Sequence, residues 1–345
     1  MNVVLRPCLG RGIHRFNPCN PGLLKRGGIL SNKVATREAY GKALLELGRK
    51  NPSVVALDAD LSGSTKTKVF GKEFPERFFN VGIAEQNLMG IAAGLSLGGK
   101  IPFASTFAVF ATGRAWEQIR QSICYPGLNV KIVASHAGIT VGEDGGSHQS
   151  VEDISLMRTI PGMTVIVPAD GVETAKAIMA MGEYAGPTYI RVGRAKTELI
   201  YDDSYDFRVG KANVLKKGTD ATIIACGIMV PEALKAAGEL SDDGISAGVI
   251  NMATIKPLDS DAVIDAAKVS GAIVTAEEHS IIGGLGSSVA EVISESCPVP
   301  LVRVGIKDIF GTSGKPDDLM ERYGLTAQAI KKAVKEAVAK KPRKV

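Results

Sequence analysis

From Val34 onward, short apolar runs alternate with longer stretches in which apolar residues recur every three or four positions. Val54-Val55-Ala56-Leu57, Pro102-Phe103-Ala104, Lys131-Ile132-Val133-Ala134, Thr164-Val165-Ile166-Val167 and Tyr189-Ile190-Arg191-Val192 have the length and composition of buried strands. Between them, Ala84 to Leu97, Phe107 to Ser122, Glu152 to Arg158 and Gly171 to Glu183 carry helical patterns. Residues 196–219 are more polar and form the expected linker. The alternation then restarts. Strands are expected at Ala221 to Ala225, 248–250, 272–275 and 301–304, and helices at Val230 to Leu240, Ser260 to Val269, Gly286 to Ser294, 316–322 and 326–339. Apolar strands separated by helices give parallel sheets covered on both faces. The pattern predicts two consecutive doubly wound α/β domains, over 34–195 and 220–345, the second the smaller.

Composition sharpens this picture in three ways. With 345 residues the chain is long enough for two cores. Aromatics make up 5% of it, so those cores are built from Ala, Val, Ile and Leu. No apolar run is long enough to span a bilayer, which argues against a membrane protein. The formal charge of +5 is concentrated in the first 33 residues, which hold Arg6, Arg11, Arg15, Lys25, Arg26 and Lys33 and no acid. The remainder carries −1, a balance that argues against nucleic-acid binding. Residues 1–33 lack periodicity and are expected to be a leader or a disordered arm. The five cysteines are scattered without a CxxC pair, which suits reduced thiols and a cytoplasmic setting.

Three segments carry candidate chemistry. In Gly82-Ile83-Ala84-Glu85-Gln86-Asn87 a single acid opens a helix of small residues. Such an acid favours a helix N-terminus, and burial there would let it share a proton with a ligand nitrogen. In Ser105-Thr106-Phe107-Ala108-Val109-Phe110 two rings three positions apart fall on one face of the expected helix, where they pack a core or stack on a flat ligand. The third segment, Ser135-His136-Ala137-Gly138-Ile139-Thr140-Val141-Gly142-Glu143-Asp144-Gly145-Gly146-Ser147-His148-Gln149, follows a buried strand. Open α/β sheets bind ligands at that end of the strand. Its histidines and acids suit either a sugar site or a metal site, and no compact ligand pair favours the metal.

In order and spacing these three segments, with Pro168-Ala169-Asp170-Gly171 downstream, resemble the transketolase family from about Thr36 to the end of the chain. The resemblance implies a thiamine diphosphate enzyme that moves a two-carbon ketol unit from a ketose phosphate to an aldose phosphate. It implies that Glu85 contacts N1′ of the aminopyrimidine and that Phe107 and Phe110 wall the ring. It further implies that Asp144 binds a sugar hydroxyl, that His148 moves a proton near the carbonyl, and that His136 lies towards the sugar phosphate with Arg37, Ser64 and Arg194. Gly113 stands where many members carry an aromatic, which would thin one wall of the pyrimidine site.

Family members of full length have an upstream GDG…N motif that holds Mg²⁺ or Ca²⁺ on the diphosphate, and this sequence contains none. The resemblance therefore implies the C-terminal section of a split transketolase. Such a chain would form a self-dimer, work only with an N-terminal-section subunit, and take its metal from that partner. Rival implications are 1-deoxyxylulose-5-phosphate synthase, a 2-oxo acid dehydrogenase β subunit and a non-catalytic partner subunit. His136 favours the ketol-transfer reading, because a synthase with pyruvate as donor has less need of a donor-sugar histidine.

Overall fold

The computed structural model describes residues 33–342. The expected leader lies, except for Lys33, outside the described residues.

Two mostly parallel sheets form the frame. The first has seven strands in the order Thr254–Lys256, Thr164–Ile166, Thr188–Arg191, Lys131–Ser135, Ile101–Phe107, Val54–Asp58 and Phe78–Asn80. All of its pairings are parallel except that of Thr254–Lys256 with Thr164–Ile166. The second has five strands, Leu301–Ile306, Ile273–Ser280, Ala221–Ala225, Ala247–Asn251 and Asn213–Lys216, of which the last runs antiparallel. The central strands of both sheets are buried along their whole length, as their unbroken apolar runs require.

The two-domain plan thus appears, with two departures from the sequence pattern. Thr254–Lys256 comes from the second half of the chain yet extends the first sheet. The polar stretch 196–219 is built in as well. Lys196–Glu198 pairs with Lys33–Ala35 in a small antiparallel ribbon, and Tyr201 and Phe207 are buried.

A further departure reshapes the site. Phe107 is the last residue of the strand Ile101–Phe107, not the start of a helix. The helical segment that follows is broken into wide turns over Phe110–Arg114 and Ile119–Cys124, with one α turn, Trp116–Gln118, between them. Wide turns of this kind carry an extra residue and rotate the side chains that follow.

Several strands of the first sheet end at Asp58, Phe107, Ser135 and Arg191, so the candidate residues gather at one carboxyl edge. Arg191, at the end of its strand, is buried between the two halves. Its Nε donates to Asp153 Oδ2 at 2.8 Å, and its Nη1 lies 3.6 Å from Glu278 Oε2. Glu278 Oε1 in turn accepts from the Thr140 amide at 2.8 Å. Gly138 stands beside this carboxylate at φ +79°, and any side chain there would overlap it. The loop bearing His136 to His148 is therefore latched to the second domain. A second latch is Gln149, whose Nε2 donates to Ile139 O and Thr312 O.

Candidate active site

Asp58 organises one end of the site. Its carboxylate closes the strand Val54–Asp58 and accepts from the Leu61 amide and from the hydroxyls of Thr65 and Thr67. This pins the turn Ser62–Thr65 and the following Lys66, whose φ is +74°. Arg37, in the first turn of the helix Thr36–Lys50, reaches across to that turn. Its Nη1 donates to Ser64 O and to His136 Nε2, each at 3.1 Å. Ser64 thus meets Arg37 through its backbone carbonyl.

His136 is buried at φ +56°. A guanidinium can only donate, so Nε2 accepts and Nδ1 carries the proton, 2.8 Å from Ser135 Oγ. Burial, followed by Arg37, Arg194, His148 and Lys66, pushes the imidazole pKa down to about 3. The same crowding acts on Arg37, whose pKa falls below its usual value through burial and the nearby Arg194. Lys66 contributes to this positive field, and no sequence motif singles it out.

Arg194 lies three residues beyond the strand Thr188–Arg191 and faces the His136–His148 loop. Its Nη1 donates to Val141 O at 2.9 Å and to Asp144 Oδ2 at 3.2 Å. It thereby fixes Asp144 on the loop.

The other end of the site is aromatic. The Phe107 ring stacks on His136 with centroids 3.8 Å apart and lies 5.8 Å from Phe110, nearly parallel to it. His148 stands edge-on to both rings, at 6.3 Å and 5.6 Å. Its Nδ1 lies 3.0 Å from Ser147 Oγ. The two phenylalanines meet as expected, although one ends a strand and the other opens a wide turn.

Glu85 begins the helix Glu85–Leu97 and is 3% exposed. Its two carboxylate oxygens each lie 3.3 Å from Arg114 Nη1. The Arg114 guanidinium also covers Phe110, 4.4 Å from the ring centroid. Arg114, like Lys66, is not among the site residues that the sequence motifs imply. Gly113 carries no side chain at the place of the expected aromatic, and the next residue, Arg114, turns in over Phe110.

The result is one continuous row: Arg37, His136, Phe107, Phe110, Arg114 and Glu85. At one end lies a cationic, anion-seeking cluster. At the other, flat rings flank a buried acid.

Comparison with known proteins gives this arrangement a context. Residues 32–198 match the model of the transketolase pyrimidine-binding domain, and residues 210–330 that of the transketolase C-terminal domain. The chain belongs to the transketolase family. A solved structure described as a split gene transketolase, inactive beta4 tetramer, has 57% sequence identity and a TM-score of 0.85, and covers 90% of this chain and 100% of that one. The 6-deoxy-6-sulfo-D-fructose transketolase subunit SqwH of Clostridium sp. is 48% identical over 88% of this chain and 95% of its own length. Mouse transketolase is 40% identical over 90% of this chain but only 50% of its own, so this transketolase-family chain spans half of such longer relatives.

Proposed function

We propose that this chain is the pyrimidine-binding and sugar-binding subunit of a split transketolase, transferring a two-carbon ketol unit between sugar phosphates. The observation that carries the reading is the row itself. It joins a buried acid and stacked rings to an anion-seeking cluster through a single ring, Phe107.

The donor set fits thiamine diphosphate. A flat aminopyrimidine matches the face of Phe110, and the Glu85 carboxylate beside it matches a ring nitrogen that carries a proton. When bound, the cofactor supplies an electron sink for the ketol carbon. The chain's own residues do the rest. Glu85 shares a proton with the ring nitrogen N1′. Phe107 and Phe110 hold the ring plane. His148, beside both rings, moves a proton at the substrate carbonyl oxygen. Asp144 accepts from a sugar hydroxyl. Arg37, His136 and Arg194 hold the anionic end of the sugar, with Lys66 adding charge. Mg²⁺ or Ca²⁺ on the diphosphate is assigned to ligands of an N-terminal-section partner.

Self-association is part of the proposal. On the helix Glu85–Leu97 one side buries Leu88, Met89, Ala92 and Ala93, while Gly90, Gly94 and Leu97 on the other are exposed. Ile83 and Leu97 are 79% and 75% exposed. An apolar, small-residue face of this kind suits a second copy, and the split gene relative is described as a tetramer of one chain type. Cys124 and Cys226 are free and buried, which suits the cytoplasm.

The test is a ketol-transfer assay with the N-terminal-section partner, a ketose phosphate and an aldose phosphate, with and without pyruvate. The expected result is two-carbon transfer that ignores pyruvate. Decarboxylation of pyruvate in its place would assign the chain to a synthase or a 2-oxo acid dehydrogenase.

A further inference from the structure

Arg114 makes both contacts that the aminopyrimidine is expected to make. Its guanidinium is planar and cationic, lies over Phe110 and donates to both oxygens of Glu85. An aminopyrimidine protonated at N1′ is likewise planar and cationic, with an N–H donor at its edge. The two groups cannot share one ring face and one carboxylate.

The local backbone explains how the arginine arrives there. Arg114 closes the wide turn Phe110–Arg114, directly after exposed Gly113, and its carbonyl accepts from Gln86 Nε2 at 3.2 Å. The turn is thus tied to the same helix start that carries Glu85. The Arg114 side chain is 54% exposed, whereas Glu85 is 3% exposed. One partner of the pair is fixed and the other is free to swing into solvent.

We infer that Arg114 occupies the pyrimidine seat in the partnerless chain and is the group that cofactor binding displaces. This rests on the proposed role of Glu85. While the seat is vacant, the arrangement keeps a buried carboxylate paired, because an uncompensated buried charge is costly. Once the cofactor competes for the same carboxylate, the arrangement opposes its entry. Arg114 therefore sets cofactor affinity without taking part in ketol transfer.

The experiment is calorimetric titration of thiamine diphosphate, with Mg²⁺ present, into the complex reconstituted with the N-terminal-section partner. Arg114→Ala and Arg114→Gln are compared with wild type, with melting curves as a check on folding. Both variants are expected to bind roughly threefold to tenfold more tightly. That is the scale of the partly solvated ion pair and cation–π interaction that the wild-type arginine must give up when the cofactor enters. In a Glu85→Gln background, where only the contact with Phe110 remains to be given up, the gain is expected to shrink. Unchanged or weaker binding by both arginine variants, while Glu85→Gln alone weakens binding, overturns the displacement and leaves the seat assignment standing. If Glu85→Gln also leaves affinity untouched, the seat assignment fails, and the displacement with it.

Discussion

Arg37 donates to Nε2 of His136 across 3.1 Å, and this contact fixes what the histidine can do. Together with burial, the larger cause, it keeps the imidazole neutral, with its proton on Nδ1 towards Ser135. The expected observation is a His136 side chain that stays neutral from pH 8 to pH 5. Nitrogen chemical shifts report this directly, and Arg37→Ala should move the titration up towards the ordinary histidine range of about 6.5. The sign of the stability effect follows. The unfolded chain takes up this proton below about pH 6.5 and the folded one only near pH 3, so stability is lost as pH falls between the two. A His136 that titrates normally in the wild type would contradict the contact.

Arg194 holds Asp144, and its second duty under the proposed function is to face the anionic end of the substrate. Replacement by Ala should raise KM for a phosphorylated donor by roughly tenfold to a hundredfold, the scale of a charged hydrogen bond. Hydroxypyruvate, which has no phosphate, should be much less affected. An equal loss on both donors would reduce Arg194 to a support for the Asp144 loop.

Glu173 makes a prediction far from the chemistry. It is fully buried, its pKa pushed up to about 7 by burial, and it accepts from the Ala169 amide, the Tyr205 hydroxyl and Asn251. These partners tie the stretch 196–219 and the second sheet to the helix Gly171–Ala180. Because the folded pKa lies above the unfolded value, the contribution of Glu173 is fully present below about pH 4.5. It declines as pH rises to about 7, by roughly 3 kcal/mol. Glu173→Gln should remove that part of the pH dependence between pH 4.5 and 7. Denaturant melts at several pH values would reveal an unchanged slope if this is wrong.

What the sequence made legible was local. Glu85, Asp144 and His148 sit in short motifs whose spacing survives folding. The helical pattern takes in Phe107, which instead ends the strand Ile101–Phe107, because the polar pair Ser105-Thr106 interrupts the apolar run that marks the strand. The placement of Arg114 was invisible, since a wide turn shifts every later side chain around the axis and no periodicity marks it. Lys66 escaped for another reason. Its place beside His136 depends on Asp58 pinning a turn, and on Gly41, where a Cβ would stand 2.6 Å from Lys66 Cβ. Residues 66, 136 and 194 meet because the strands before them end at one edge, and the helix Thr36–Lys50 brings Arg37 to it.

The central claim is that the acid at the start of the helix Glu85–Leu97 serves a cofactor shared with another chain. The most direct measurement is ketol transfer by this chain mixed with its N-terminal-section partner, thiamine diphosphate and Mg²⁺, comparing wild type with Glu85→Gln. The account predicts a loss of about 10²–10⁴-fold, the usual scale for removing a group that handles a proton, with the melting curve and the assembly unchanged. Near-normal turnover by a folded, fully assembled Glu85→Gln enzyme would contradict it.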